Sequence, residues 1–437
     1  MKYIIYILIL FLSINSYSQS YKKIELIFSE KLLNGPKDSD YWRCIGSVKF
    51  SHNNTLMSCD SSHHYIKENK MIAFGNININ KGDSLLMNGE ELIYKGNENT
   101  AYLLRNVIVE NKHTKLKTNK IHLNLEKNFI HYYGGGTITD ENLVLTSDQG
   151  SYNTKSHIYF FKSNIEVKSK KYTVVTDTLN YNSVTKTTYF FGPSYIYSEN
   201  NTIYCENGWY NTVTNISQFQ ENSYITNGAE IIKGDSLFYN RNLGYGKAIN
   251  NIHIIDTSNK ILVNGHLAEY FEKEDKIEIT KKALLNILMD NDTLFITAKK
   301  FISFSGVKEY IIASPEVMIY KKDIQGKCDS LYYNISDSLI ELFDEPVLWV
   351  DDIQITSDSI QINIINDKIN SMNFYPNPLI ISKADTTHFN QIKGKYMHAL
   401  FEKNKLTKLN ISGNGQSLFL IEDNKTSEKI GINKAIC

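Results

Sequence analysis

The sequence predicts an all-β protein built from a repeating unit of 29 residues, on three observations. A small residue followed by a polar one, with a Tyr-Asn pair shortly after, returns along most of the chain. Val, Ile, Thr, Tyr and Phe dominate each unit and alternate with polar residues at period two, the pattern of a strand with one buried face. Helical periodicity is nearly absent; its best candidate, Lys281 to Met289, is short and flanked by β-type sequence.

The polar anchors of the clearest copies, Asp148, Asp177, Glu206 and Asp235, lie 29 residues apart. Upstream the register continues through Asn119, Glu90 and Asp60, and downstream it passes His266, Lys299, Asp329, Asp358 and Lys395 with steps of 31, 33, 30, 29 and 37. The residue before each anchor is small: Cys59, Gly89, Thr118, Ser147, Thr176, Cys205, Gly234, Gly265, Ala298, Cys328, Ser357 and Gly394. Three of the five cysteines thus read as compact fillers of a tight interior, where free cysteine is ordinarily buried.

Each unit reads as several short strands and tight turns. Ile77-Asn78-Ile79, Val107-Ile108-Val109, Ile165-Glu166-Val167 and Ile252-His253-Ile254 sit at matching positions after their anchors and form a strand with one buried face. Ahead of it come Gly75-Asn76, Arg105-Asn106, Ser163-Asn164, Gly192-Pro193, Glu221-Asn222 and Asn250-Asn251. Gly and Asn tolerate positive φ, so these pairs read as turns joining strands, and they favour antiparallel hairpins over a parallel β-helix. The anchor carboxylates read as strand starts exposed to water, bonded to local backbone.

The first residues, Lys2, an apolar run from Tyr3 to Leu12 and then Ser13 to Ser20, have the form of a secretory signal peptide with cleavage near Ser18. The apolar run falls short of the roughly 20 residues a membrane span needs. The expected organisation is therefore a leader at 1–18, a regular array at 19–258 and a more divergent continuation of it at 259–437. Lys plus Arg equals Asp plus Glu, 47 against 47, which argues against a nucleic-acid binder with a basic face. An odd number of cysteines, Cys44, Cys59, Cys205, Cys328 and Cys437, cannot pair fully within one chain, and their spacing fits no zinc pattern.

No catalytic, cofactor or metal constellation stands out. His63-His64 are neighbours on a strand and so point to opposite faces, which does not suit convergent ligands. The anchor carboxylates lack the dense Gly-Asp nonapeptide of calcium-binding rolls, and their repetition singles out no acid pair for glycoside hydrolysis. Stacked repeats do bury a continuous apolar interior, either a packed core or an elongated groove. Its inward positions are Ile77, Ile79, Val107, Val109, Ile165, Val167, Ile252 and Ile254.

Two runs carry a family resemblance: Asp177-Thr178-Leu179-Asn180-Tyr181-Asn182 through Phe190-Phe191-Gly192-Pro193, and Asn201-Thr202-Ile203-Tyr204-Cys205-Glu206-Asn207-Gly208-Trp209-Tyr210. With Lys233-Gly234-Asp235-Ser236-Leu237-Phe238-Tyr239, they resemble OstA-like (LptA-like) proteins. The resemblance is strongest from about Lys22 to Phe271 and implies an open β-jellyroll of stacked antiparallel strands. It also implies a periplasmic protein of lipopolysaccharide transport that binds lipid A acyl chains along the eight inward positions, with no enzymatic activity and no cofactor. Its other partners would be further jellyroll proteins, met through end-on strand pairing. Length and the drift of the last third leave an association with the outer membrane open. The rival readings are a parallel β-helix acting on polysaccharide and a structural or adhesive surface solenoid.

Overall fold

The computed structural model describes residues 22–436 apart from 82–84, 112–113, 200, 290–291, 307, 351, 403–404 and 423–428. The leader expected at 1–18 and Cys437 lie outside the described residues. The described chain is strand throughout except for one turn of 3-10 helix at Glu272–Glu274, and every strand pairing described is antiparallel. The parallel β-helix is thereby removed. The chain divides into two compact units, Met1–His157 and Ile158–Cys437.

Within each unit, successive long strands pair in a meander. In the first unit these run from Trp42–His52 to Leu143–Asn153. In the second they run from Ile158–Ser169 to Thr293–Phe304. The 29-residue step is two strands with their two connecting tips: the strands beginning at Ile158, Thr187, Ile216 and Tyr245 succeed one another at that interval. The Tyr-Asn pair closes each second strand, and its asparagine folds the following tip. Asn153 Oδ1, for example, accepts the backbone N–H groups of Lys155 and Ser156 at 2.9 Å, the Asx-turn geometry that suits asparagine here.

The residue pairs read as turns between strands are instead corners inside single strands. Asn250 and Asn251 have φ of 57° and 47° in the middle of Tyr245–Asp256. Arg105-Asn106, Ser163-Asn164 and Glu221-Asn222 are also left-handed pairs within one strand. Each pair is an extra residue against the neighbouring strand: the register shifts between Lys233↔His253 and Ser236↔Ile249, which leaves two residues opposite one. Such bulges bend a strand and sharpen its twist. The period-two pattern resumes on both sides of the bend, which is why one strand looks like two in sequence.

The anchors are therefore mid-strand residues, not strand starts, and four of the carboxylates accept a bond from the corner asparagine. Asn76 Nδ2 donates to Asp60 at 2.9 Å, Asn222 Nδ2 to Glu206 at 2.9 Å and Asn251 Nδ2 to Asp235 at 2.9 Å. Asn106 bonds Glu90 in the same way. The offset of 16 residues is constant because strand, tip and strand have constant length.

Beyond Phe304 each corner widens until it divides its strand. Tyr310–Ser314 and Val317–Lys321 both lie against Thr293–Phe304, and Leu339–Phe343 and Val347–Val350 flank a corner that still carries a left-handed pair, Asp344-Glu345. Part of the irregular stepping comes from longer tips, closed by Met289 N–H on Asp292 O at 2.9 Å and Ala384 N–H on His388 O at 3.0 Å. The helical candidate Lys281 to Met289 is strand, part of Lys276–Leu288, with Lys281-Lys282 as its left-handed corner.

The small residues before the anchors sit at the inside of the corners. Cys59, Thr118, Ser147, Thr176, Cys205, Gly234 and Cys328 are buried, while Ala298 and Gly394 are half-buried. Burial pushes the thiols of Cys59, Cys205 and Cys328 up to about 12; no charge or metal there favours thiolate among the described residues. Larger side chains enter only where glycine makes room. The Tyr132 ring lies between Gly136 and Gly150, where a Cβ on either would come within 2.4 Å of it, and its hydroxyl bonds Ser147 Oγ at 2.6 Å.

Candidate functional site

Bending every strand at one level gives the sheet two walls meeting at a line of corners. The pairing registers trace which side chains line the inside. In the second unit the first wall carries a continuous row from strand to strand: Phe161, Leu179, Phe190, Gly208, Phe219, Leu237, Ala248, Ala268, Ile279 and Phe301. The second wall carries Val167, Val174, Ile196, Ile203, Ile225, Ile232, Ile254, Val263, Leu285 and Ile296. Between them run the small corner residues Thr176, Ser194, Cys205, Ser223 and Gly234. Their polar atoms are internally satisfied: Thr176 Oγ1 and Ser194 Oγ are 2.7 Å apart, and Ser223 Oγ donates to Gly234 O at 2.7 Å.

The second row is not uniformly buried. Val167 and Val174 at one end, and Val263, Leu285 and Ile296 at the other, are at most 7% exposed. The five consecutive isoleucines between them, Ile196, Ile203, Ile225, Ile232 and Ile254, are only half-buried. These five neighbouring strands thus carry the most accessible stretch of the second row. On the first wall, the Tyr-Asn tyrosines Tyr181, Tyr210 and Tyr239 lie two residues from the row on the same strand face and are half-buried. Tyr210 donates its hydroxyl proton to Asn215 Oδ1 at 3.2 Å, and Tyr239 donates to Glu272 at 2.7 Å.

The first unit has the same plan with a fuller core. Its first-wall row is Cys44, Ser62, Ala73, Leu92, Leu103, Ile121, Tyr132 and Gly150, all buried. Its second-wall row runs Phe50, Met57, Ile79, Met87, Val109, Leu116, Ile138 and Leu145 and loosens at Val109, Leu116 and Ile138, which are half-buried. His63 and His64 do point to opposite faces. His64 packs inside against Phe50, while His63 packs between Tyr41 and Phe74. Burial lowers the pKa of both imidazoles.

The eight positions read from sequence fall into two sets. Ile77, Val107, Ile165 and Ile252 lie on the inside of the corners and are at most 2% exposed. Ile79, Val109, Val167 and Ile254 belong to the second-wall rows; Ile79 and Val167 are buried, Val109 and Ile254 half-buried. The eight positions include none of the most open stretch, Ile196 to Ile232, although the same alternation runs through it, and none of the facing Phe and Leu row.

The family model for OstA-like proteins matches residues 22–177 and 168–235. Among solved structures, the crystal structure of LptH from Pseudomonas aeruginosa is described as the LptA-homologous periplasmic component of a lipopolysaccharide transport device. It aligns at 8% identity with a TM-score of 0.24, covering 26% of this chain and 80% of that one. No curated protein matches the chain. The family match extends from Lys22 to the anchor Asp235, and over these residues the chain is an OstA-like protein.

Proposed function

We propose that the chain is a periplasmic component of lipopolysaccharide transport that holds the lipid by its acyl chains in an apolar trough between the two walls of the second unit. The observation that carries this reading is the run of five half-buried isoleucines, Ile196, Ile203, Ile225, Ile232 and Ile254, flanked in the same row by buried residues on both sides. Full burial of an isoleucine contributes about 1.5–3 kcal/mol, so covering what is left exposed of five mostly buried isoleucines contributes at most about 5 kcal/mol. The OstA-like match and the first-wall tyrosines support the same orientation, with acyl chains down between the walls and the polar head at the mouth.

In the second unit Val167 and Ile254 belong to the acyl track, with Ile165 and Ile252 at its floor; in the first unit Ile79 and Val109 hold the equivalent wall positions, with Ile77 and Val107 at the floor. The floor residues meet lipid only when the walls part. The reading requires no catalytic group, cofactor or metal. Strand Lys429–Ile436 has Gln416–Glu422 as its described neighbour, and exposes Ile430, Ile432 and Ile436. Its outer edge is where another jellyroll protein would continue the sheet.

Photocrosslinking tests the reading. A photoreactive residue replacing Ile225 or Ile232 is expected to label lipopolysaccharide, and one replacing the outward, exposed Lys233 is not. Equal labelling from both faces would overturn the trough.

A further inference from the structure

The tips at the tyrosine side of the second unit form a braced platform with an apolar row on it. Tips 183–186, 212–215 and 241–244 are each folded on an asparagine side chain. Asn182 Oδ1 accepts from Val184 and Thr185 N–H at 2.9 and 3.0 Å, Asn211 Oδ1 from Val213 and Thr214 at 3.0 and 2.9 Å, and Asn240 Oδ1 from Asn242 and Leu243 at 3.1 and 3.2 Å. Neighbouring tips are also bonded to one another. Thr212 N–H donates to Lys186 O and Arg241 N–H to Asn215 O, both at 3.0 Å. Asn211 Nδ2 donates to Thr185 O and Asn242 Nδ2 to Thr214 O, both at 2.9 Å.

At the crest of this platform stand Val184, Val213 and Leu243, exposed by 67%, 69% and 65%. No fold contact explains an aliphatic residue at these places, and hydroxyl and amide residues surround each one. The three tips carry Lys186 and Arg241 and no carboxylate; the next tip, Glu272-Lys273-Glu274-Asp275, is acidic and ends the row. Successive tips are two strands apart, roughly 9.5 Å.

We propose that this row is a membrane contact: Val184, Val213 and Leu243 seat individually in the interfacial layer of a bilayer, with Lys186 and Arg241 among anionic headgroups. A protein partner is disfavoured by the spacing. Single aliphatic groups about 9.5 Å apart with polar residues between do not make the contiguous apolar patch of several hundred Å² that marks protein docking. A fluid interface, by contrast, accepts separate aliphatic side chains one at a time and rewards flanking cations. Bracing between the tips supplies the common level that a planar surface requires.

The test is co-sedimentation of the full mature chain with vesicles of phosphatidylethanolamine and phosphatidylglycerol, free of lipopolysaccharide so that the trough reading is not probed. Wild-type protein is expected to pellet with the vesicles. The triple variant Val184→Glu/Val213→Glu/Leu243→Glu is expected to lose at least tenfold in partition coefficient, and the triple serine variant several-fold. Lys186→Ala/Arg241→Ala is expected to weaken binding only when phosphatidylglycerol is present. Circular dichroism and lipopolysaccharide crosslinking from Ile232 confirm that the variants fold. Absence of wild-type binding, or equal binding by the folded glutamate and serine variants, would overturn the proposal. So would loss of an oligomer in the variants without any vesicle binding, which would assign the row to contact between copies of the chain.

Discussion

Left-handed backbone is costly for an L-residue, about 1–2 kcal/mol outside glycine, and asparagine is among the side chains that tolerate it best. This protein places two such residues in succession at one corner after another and ties the second to the facing anchor. Asn251 illustrates both roles, with φ of 47° and a bond to Asp235 at 2.9 Å. Asn251→Gly is expected to be nearly neutral, because glycine regains in backbone freedom what is lost in the side-chain bond. Asn251→Val combines the lost bond with a β-branched residue at positive φ and is expected to cost about 2 kcal/mol or more. Hydrogen exchange at the paired amides of Lys233 and His253 reads this as protection reduced by roughly an order of magnitude or more, since each 1.4 kcal/mol is about tenfold. Exchange as slow in Asn251→Val as in the parent would show that the corner does not depend on its asparagine. Asn and Gly at these positions were legible in sequence as sites of positive φ. That they bend a strand instead of ending it was not, because local backbone preference is the same in both.

At the scale of the strand, the bulge sets the register of each half against its neighbour. Tyr245–Asp256 has Ala248 inward before the corner and Ile252 inward after it. The two inward residues are four apart, whereas their partners Ala268 and Gly265 are three apart, and the difference is the residue that the bulge adds. Deleting Asn250 removes that residue, and with it the left-handed pair and the geometry that ties Asn251 to Asp235. Deletion of Asn250 is expected to destabilise the chain by more than Asn251→Val does, and to yield aggregating protein in expression trials. A soluble product with an unchanged melting temperature would contradict the assigned register. The alternation itself was plain in sequence, and Ile77, Val107, Ile165 and Ile252 were correctly read as inward. What could not be read was the difference between the closed and open stretches of one row. Val174 and Ile196 obey the same pattern and are paired neighbours, yet one is buried and the other half-buried, because burial depends on packing across the fold and not on alternation along the strand.

Along the regular array the repeat is two strands and two tips, each bonded chiefly to its neighbours, so stability accumulates from local contacts. Removing Thr187 to Asn215 takes out one complete 29-residue period and joins Lys186 to Ile216, which are equivalent to Asn215 and Ile216 in the next repeat. This variant is expected to fold with an unchanged β spectrum and to retain crosslinking from Ile232. Removing about half that length, which deletes a single strand, is expected to abolish folding, since the remaining strands would meet in parallel or with inverted faces. Circular dichroism and size-exclusion chromatography distinguish the two; equal folding of both would refute the two-strand unit. The period, the strand content and the small residues at the corners were all accessible from one sequence, because each recurs at fixed intervals. The drift of the last third was visible too, but its cause, corners that widen into breaks such as Asp344 to Pro346 between two strands, appears only with the pairing in hand.

The two-strand period also makes such a protein a ruler. Because strands stack about 4.8 Å apart, each gain or loss of 29 residues lengthens or shortens the two walls by roughly 9.5 Å while leaving the inward rows, the corners and the tip platform in phase. Reach can therefore be adjusted in discrete steps by duplicating or deleting sequence, without redesigning a single contact.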